Sequence, residues 1–172
     1  MSEGIKGKLC KAYGSLCCCS SSLQNPLLFL IRVYWGYLFF LAGKGKFENF
    51  ERTVGFFTKL EIPMPEVNVT MAAGTEMIGG ALLVIGLFSR LVSIPLVFTM
   101  IVAYITADFG TISAIFAPDA DWATLANFKP FVQASPFNFL LASLIILAFG
   151  PGKWSLDGLC CKGKKCELPQ SK

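Results

Sequence analysis

Glu76 is the one charged residue in an otherwise apolar run from Val69 to Phe88. At about 1.5 Å of rise per residue it lies roughly 10 Å from the nearer end of that run. A carboxylate at such depth must face other protein and be paired or protonated, because lipid offers it neither water nor a counter-ion. The cations within reach in sequence are Lys44 and Lys46, at the exit of the preceding apolar run, and Arg32, which interrupts that run near its start. Long basic side chains either bend toward such a group or snorkel to headgroups. Tyr104 and Asp108 stand one helical turn apart near the end of the third apolar run and so share a face. Together, Arg32, Lys44, Lys46, Glu76, Tyr104 and Asp108 form a candidate intramembrane polar network. Its chemistry would be proton handling or ligand binding, with Glu76, Lys46 and Asp108 as the candidate catalytic groups. The bland reading is an ion pair that fixes helix register, a snorkelling Arg32, and Tyr104 in an aromatic belt.

The remaining chemical inventory is narrow. There is no histidine, which removes the usual haem and iron ligands and the commonest general base. The seven cysteines all fall in the two tails. Cys17, Cys19, Cys160, Cys161 and Cys166 are candidate ligands for a soft metal, but no pair has the Cys-x-x-Cys spacing. Acylation beside the membrane and plain free thiols are the alternatives, and disulfides are not expected on a reducing face. No phosphate-binding glycine loop, serine nucleophile motif or metalloprotease helix is present. The stretch Gly43-Lys44-Gly45-Lys46 lacks the first glycine and the hydroxyl residue of a P-loop.

The elements that hold these residues are apolar helices. The chain has 172 residues, 54% of them hydrophobic and 15% charged, against about 25% charged in a soluble domain. The net charge of +4 is concentrated in the tails, with no basic aromatic face of the kind that binds nucleic acid. The expected fold is an all-α, polytopic membrane four-helix bundle. Its domain spans residues 26–152, between a Cys- and Lys-bearing tail at 1–25 and a basic, Cys-containing tail at 153–172. The spans are expected at about 27–43, 69–88, 91–107 and 131–149. Asn25 and Pro26 look like the start of the first helix. The N-terminal tail reads as retained, since no small-residue cleavage site follows the first apolar run.

Between spans one and two, Phe50, Val54, Phe57 and Leu60 recur at helical spacing. They predict an amphipathic interfacial helix within Phe47–Leu60. Gly79, Gly80 and Gly86 are expected to let helices approach closely. Only Ser89 and Arg90 separate spans two and three, so these two are antiparallel neighbours. With both termini in the cytoplasm, nine Lys and Arg lie inside and five outside, which the positive-inside rule favours.

These residues resemble the DoxX family of small four-helix membrane proteins. The matching pieces are Arg32 in span one and Phe40-Leu41-Ala42-Gly43-Lys44-Gly45-Lys46-Phe47, similar to that family's Phe-x-x-Gly-x-x-Lys exit. Glu76 with Gly79-Gly80, and then Gly86-Leu87-Phe88-Ser89-Arg90, look like its Glu-x-x-Gly-Gly and Gly-x-x-x-Arg pattern. Gly150-Pro151-Gly152-Lys153-Trp154-Ser155-Leu156-Asp157 looks like its ending. The resemblance covers about residues 27–158. The family often has His near the outer end of span three, where this chain has Asp108.

The resemblance implies a bacterial inner-membrane component of quinone- or thiol-linked redox chemistry, often an accessory subunit beside a soluble oxidoreductase or a membrane partner. On that reading Glu76 and Lys46 are the polar pair in the bundle, with Arg32 and Arg90 as supports. No cofactor is evident in the residues themselves, and quinone enters only through the resemblance; with no haem, flavin or iron–sulfur motif visible, electron transfer by this chain alone is not expected. Two readings from other classes remain beside it: a membrane assembly factor that binds partner helices, and a small-solute transporter.

Overall fold

The computed structural model describes residues 2–107, 132–152 and 154–157, with side chains from Leu23 onward. All regular structure among them is helical: α1 Ser2–Glu48, α2 Phe50–Lys59, α3 Pro65–Ile85, α4 Ser89–Ala107 and α5 Ser135–Phe149. Among the described residues, three helical stretches have the length and apolarity to cross a membrane: Leu23–Glu48, Pro65–Ile85 and Ser89–Ala107. The fourth apolar helix, α5, has 15 residues, about 22 Å of rise against a ~30 Å hydrocarbon core.

Local chemistry sets the helix ends. Pro65 and Pro136 sit in the first turns of α3 and α5, where a missing N–H costs nothing. Gly86 ends α3 in the left-handed region (φ 78°), donating to Leu82 O at 2.8 Å, the conformation glycine adopts without a Cβ penalty. Gly150 stops α5 at φ 81°. The expected helix start at Asn25–Pro26 is not observed. α1 runs straight through Pro26 from Ser2, so the sequence signal for a cap is overridden. Proline removes one backbone bond, and membrane helices tolerate that loss where neighbours re-satisfy the freed carbonyl.

α1, α3, α4 and α5 pack as a closed ring in that order, and α2 lies against α3 and α1. Phe39, Leu83, Leu96, Met100 and Ile146 form the centre, flanked by Ile31, Val92, Phe139 and Leu140. The outside is just as apolar: Leu30, Ile78, Leu91, Phe98 and Phe149 are all exposed. That surface would aggregate in water and is normal against acyl chains. The hydroxyls follow the same logic. Ser93, Thr99, Thr106 and Ser143 each donate to the carbonyl four residues back, since there is no water to serve them.

The α1–α3 contact is the closest. A Cβ on Gly36 would come within 3.0 Å of Gly80 O, and one on Gly43 within 2.6 Å of Ala73 O. Both helices advance seven residues between these contacts, in opposite directions. The result is an antiparallel seam of small residues at heptad spacing.

Candidate functional site

That seam places Lys46 and Glu76. Lys46 follows Gly43 by one turn, and Glu76 follows Ala73 by one turn, so both side chains emerge beside the same close contact. Side chains on a helix lean toward its N-terminus. Because α1 and α3 are antiparallel, Lys46 and Glu76 lean toward each other along the bundle axis. Lys46 Nζ donates to Glu76 Oε2. Glu76 is 2% exposed, while Lys46 is only partly buried. Glu76 thus has company inside the bundle, as its depth requires.

The pair forms part of the wall of a cavity of about 460 Å³. Two helical stripes build it. On α3 the lining residues Asn68, Met71, Ala72, Thr75 and Glu76 recur at steps of three and four. On α4 Pro95, Phe98, Thr99, Val102, Ala103 and Thr106 do the same. Phe56 and Phe57 of α2, Leu60 just past its end, Phe39 of α1 and Phe139 of α5 close it. Its lining is mostly apolar, with one ion pair, the amide of Asn68 and a few hydroxyls, the usual make-up of a small-molecule site. The face of α4 that packs into the bundle core is the adjacent one, Ser89, Ser93, Leu96, Met100 and Tyr104, and Met100 is shared between that face and the cavity wall.

Arg32 does not belong to this site. It is 1% exposed and lies at the opposite end of the bundle, fourteen residues or about 21 Å before Lys46 on α1. Its Nη1 donates to Pro151 O and its Nη2 to Trp154 O, both at 2.8 Å. The guanidinium also sits 5.5 Å from the Phe29 ring, which in turn meets Trp154 edge-on. Gly86 leaves room for it: a Cβ there would fall 2.6 Å from Nη1. Asp157 completes the arrangement. Its carboxylate accepts from Phe88 N (2.8 Å) and Ser89 N (2.9 Å), and its own N–H donates to Gly86 O at 3.1 Å. A carboxylate on these first amides caps α4 and favours its dipole. Ser155 Oγ bonds back to Gly152 O. Pro151, Trp154 and Asp157 therefore tie α1 to the α3–α4 turn.

The expected network divides accordingly. Lys46 and Glu76 meet. Lys44 instead pairs with Glu48 on the exposed side of α1 at 3.4 Å, because two residues of helix rotate it away from Lys46. Arg32 is neither a partner of Glu76 nor a snorkelling residue: backbone carbonyls hold it inside the protein. Tyr104 is buried one turn beyond Met100 and makes interactions of its own. Arg90 lies over the Gly150 turn. Gly79 packs on Leu96 of α4, Gly80 on Gly36, and Gly86 against Arg32 and Ser155. Asp108, Cys160, Cys161 and Cys166 lie outside the described residues, as do the side chains of Cys17 and Cys19, so the metal reading does too. Sequence reasoning missed the wall residues Thr75, Phe98 and Thr99, which carry no charge to draw notice. It also missed Asp157 as a cap, although the neighbouring Gly-Pro-Gly turn was a visible signal.

The comparisons agree with this architecture. The DoxX family model matches residues 27–108, from the apolar start of α1 to the end of α4. The chain is 31% identical over 138 residues to "Putative oxidoreductase CatD" of Bacillus subtilis, covering 79% of this chain and 88% of that one. It is 25% identical over 135 residues to "Uncharacterized membrane protein Rv3486" of Mycobacterium tuberculosis, covering 77% and 80%. No solved structure matches it. With Arg32, Lys46, Glu76 and Gly86 all inside the matched segment, the chain belongs to the DoxX family of helical membrane proteins.

Proposed function

We propose that this chain is a membrane component of quinone- or thiol-linked redox chemistry, with the Lys46–Glu76 cavity as its ligand site. One observation carries the reading: a mostly apolar cavity has a buried carboxylate and an ammonium in its wall, inside a bundle of helices long and apolar enough to cross a membrane. The relative named as an oxidoreductase supports it from a separate direction.

The lining suits a quinone ring head. Phe39, Phe57 and Phe139 offer flat apolar surface, and the ion pair offers both a donor and an acceptor. A quinone, when bound, supplies two-electron chemistry coupled to protons. The chain's own task is then to hold the ring and manage those protons. Lys46 Nζ gives one N–H to Glu76 and has two more to give to a carbonyl oxygen. Glu76 keeps one oxygen to accept from a hydroxyl. Lys46, the more exposed of the two, links the buried carboxylate to the surface, so a proton can pass through the pair without crossing the apolar wall.

On this reading the chain works beside a soluble oxidoreductase or a membrane partner subunit rather than alone. It resides in a bacterial inner membrane with both termini cytoplasmic, which puts Lys46 and Glu76 toward the outer face. The test is purification of the full chain in mild detergent, followed by mass spectrometry for co-purified quinone and partner proteins. Wild type should retain quinone, and Glu76→Gln and Lys46→Met should lose it while remaining folded. A folded wild type carrying a membrane client and no quinone would instead support the assembly-factor reading.

A further inference from the structure

The cavity is not sealed within the bundle. Of its lining residues, Phe98 is 67% exposed, Met71 66% and Phe56 50%. These three come from α4, α3 and α2, and so mark an opening at the gap between α3 and α4 with α2 at its edge. Met71 and Phe98 lie within helices long and apolar enough to cross a bilayer, where an exposed apolar residue faces acyl chains. Along α4 the lining runs from Pro95 to Ala107, twelve residues or about 18 Å, more than half of a ~30 Å hydrocarbon core. At the opposite end of the bundle Pro151, Trp154 and Asp157 tie α1 to the α3–α4 turn. A hydrophilic solute gains nothing from a long apolar slot. A molecule with a hydrogen-bonding head and an apolar tail can use both the ion pair and the wall.

We infer that the ligand of this site is a tailed amphiphile that reaches Lys46 and Glu76 sideways from the bilayer, through the opening bordered by Phe56, Met71 and Phe98. The inference rests on the reading of the Lys46–Glu76 cavity as the ligand site, and adds the class of ligand and its route. The head lies at the pair, and the tail runs along Phe98 and Val102 into lipid. Thr99, between them on the cavity stripe of α4, is the position where added bulk blocks the passage.

The test uses the full chain in lipid nanodiscs and two probes: a decyl-tailed benzoquinone and the same benzoquinone without its tail. Binding is measured against empty nanodiscs to remove simple partitioning. The tailed probe should bind at least about tenfold more tightly than the bare ring. Thr99→Trp should abolish that advantage, with Val102→Trp taking its place if the first variant does not assemble. Ile94→Trp, on an exposed part of α4 away from the cavity, should change nothing. Equal binding of the two probes to wild type, or full retention of the tailed probe in the blocked variant, overturns the inference. If the bare ring alone binds and Glu76→Gln abolishes it, the site reading stands and the lateral route falls. If neither probe binds wild type, both fall together.

Discussion

Arg32 and Lys46 stand on the same helix, and both carry a positive charge into an apolar stretch of sequence, yet the bundle treats them differently. At one end the guanidinium is fully enclosed and bonded to two backbone carbonyls, with Gly86 and Ser155 packed close around it. At the other end the ammonium meets a carboxylate beside a cavity. A buried charge held by carbonyls, with protein packed against it, joins pieces of chain, even though the Nε of Arg32 finds no partner among the described residues. A charge pair with open volume beside it keeps spare donors and acceptors. The lesson is that depth alone does not make an intramembrane charge functional. What matters is whether open volume lies beside it for a ligand to occupy, as it does at Lys46 and Glu76.

The comparison can be broken by variants, beginning with the frame that supports both ends. Gly80→Leu should have the largest effect. A side chain there collides with the backbone of α1 at Gly36 and Phe39, so folded yield in detergent should be lost, read by size-exclusion profile. Arg32→Ala should follow, because it leaves the carbonyls of Pro151 and Trp154 without donors inside the protein. A charge-assisted bond is worth about 1.5–3 kcal/mol, so a loss of roughly 3 kcal/mol should appear as a clearly lower melting temperature. A melting temperature equal to wild type would remove the distinction between the two ends.

Asp157→Asn should cost less, about 1 kcal/mol, since an amide oxygen still caps one of the two N–H groups of α4. Glu76→Gln sharpens the contrast from the other side. It should keep the bundle folded, within about 1–2 kcal/mol through the retained amide oxygen, while co-purified quinone falls by an order of magnitude or more. Lys44→Ala should be the mildest of all, within about 0.5 kcal/mol, because its pairing with Glu48 is exposed and screened by solvent.

Much of this was readable from residue order. Apolar runs with few charges, broken by Gly, Pro and short polar connections, marked α3, α4 and α5, and the spacing of Phe50, Val54, Phe57 and Leu60 marked α2. The burden of placing a carboxylate in lipid singled out Glu76 and called for its pairing or protonation inside the bundle. Depth and spacing alone left Lys44, Lys46 and Arg32 open as its partner, and only the family resemblance pointed to Lys46. All three are long, flexible and close enough along the chain, and the choice depends on which face of α1 meets α3. Nor could sequence find the cavity, whose wall is made of ordinary apolar and hydroxyl residues on two helices.

The sequence by itself determined that this is a helical membrane protein with a buried acid, because hydrophobicity and the energy of a charge in lipid are properties of the residues, whatever their neighbours. Only the tertiary structure decided which cation the acid meets, which one instead ties down the C-terminal segment, and where space remains for a ligand. Those outcomes depend on the rotation and register of one helix against another, which the small residues Gly36, Gly43, Ala73 and Gly80 set through contacts between positions thirty or more residues apart.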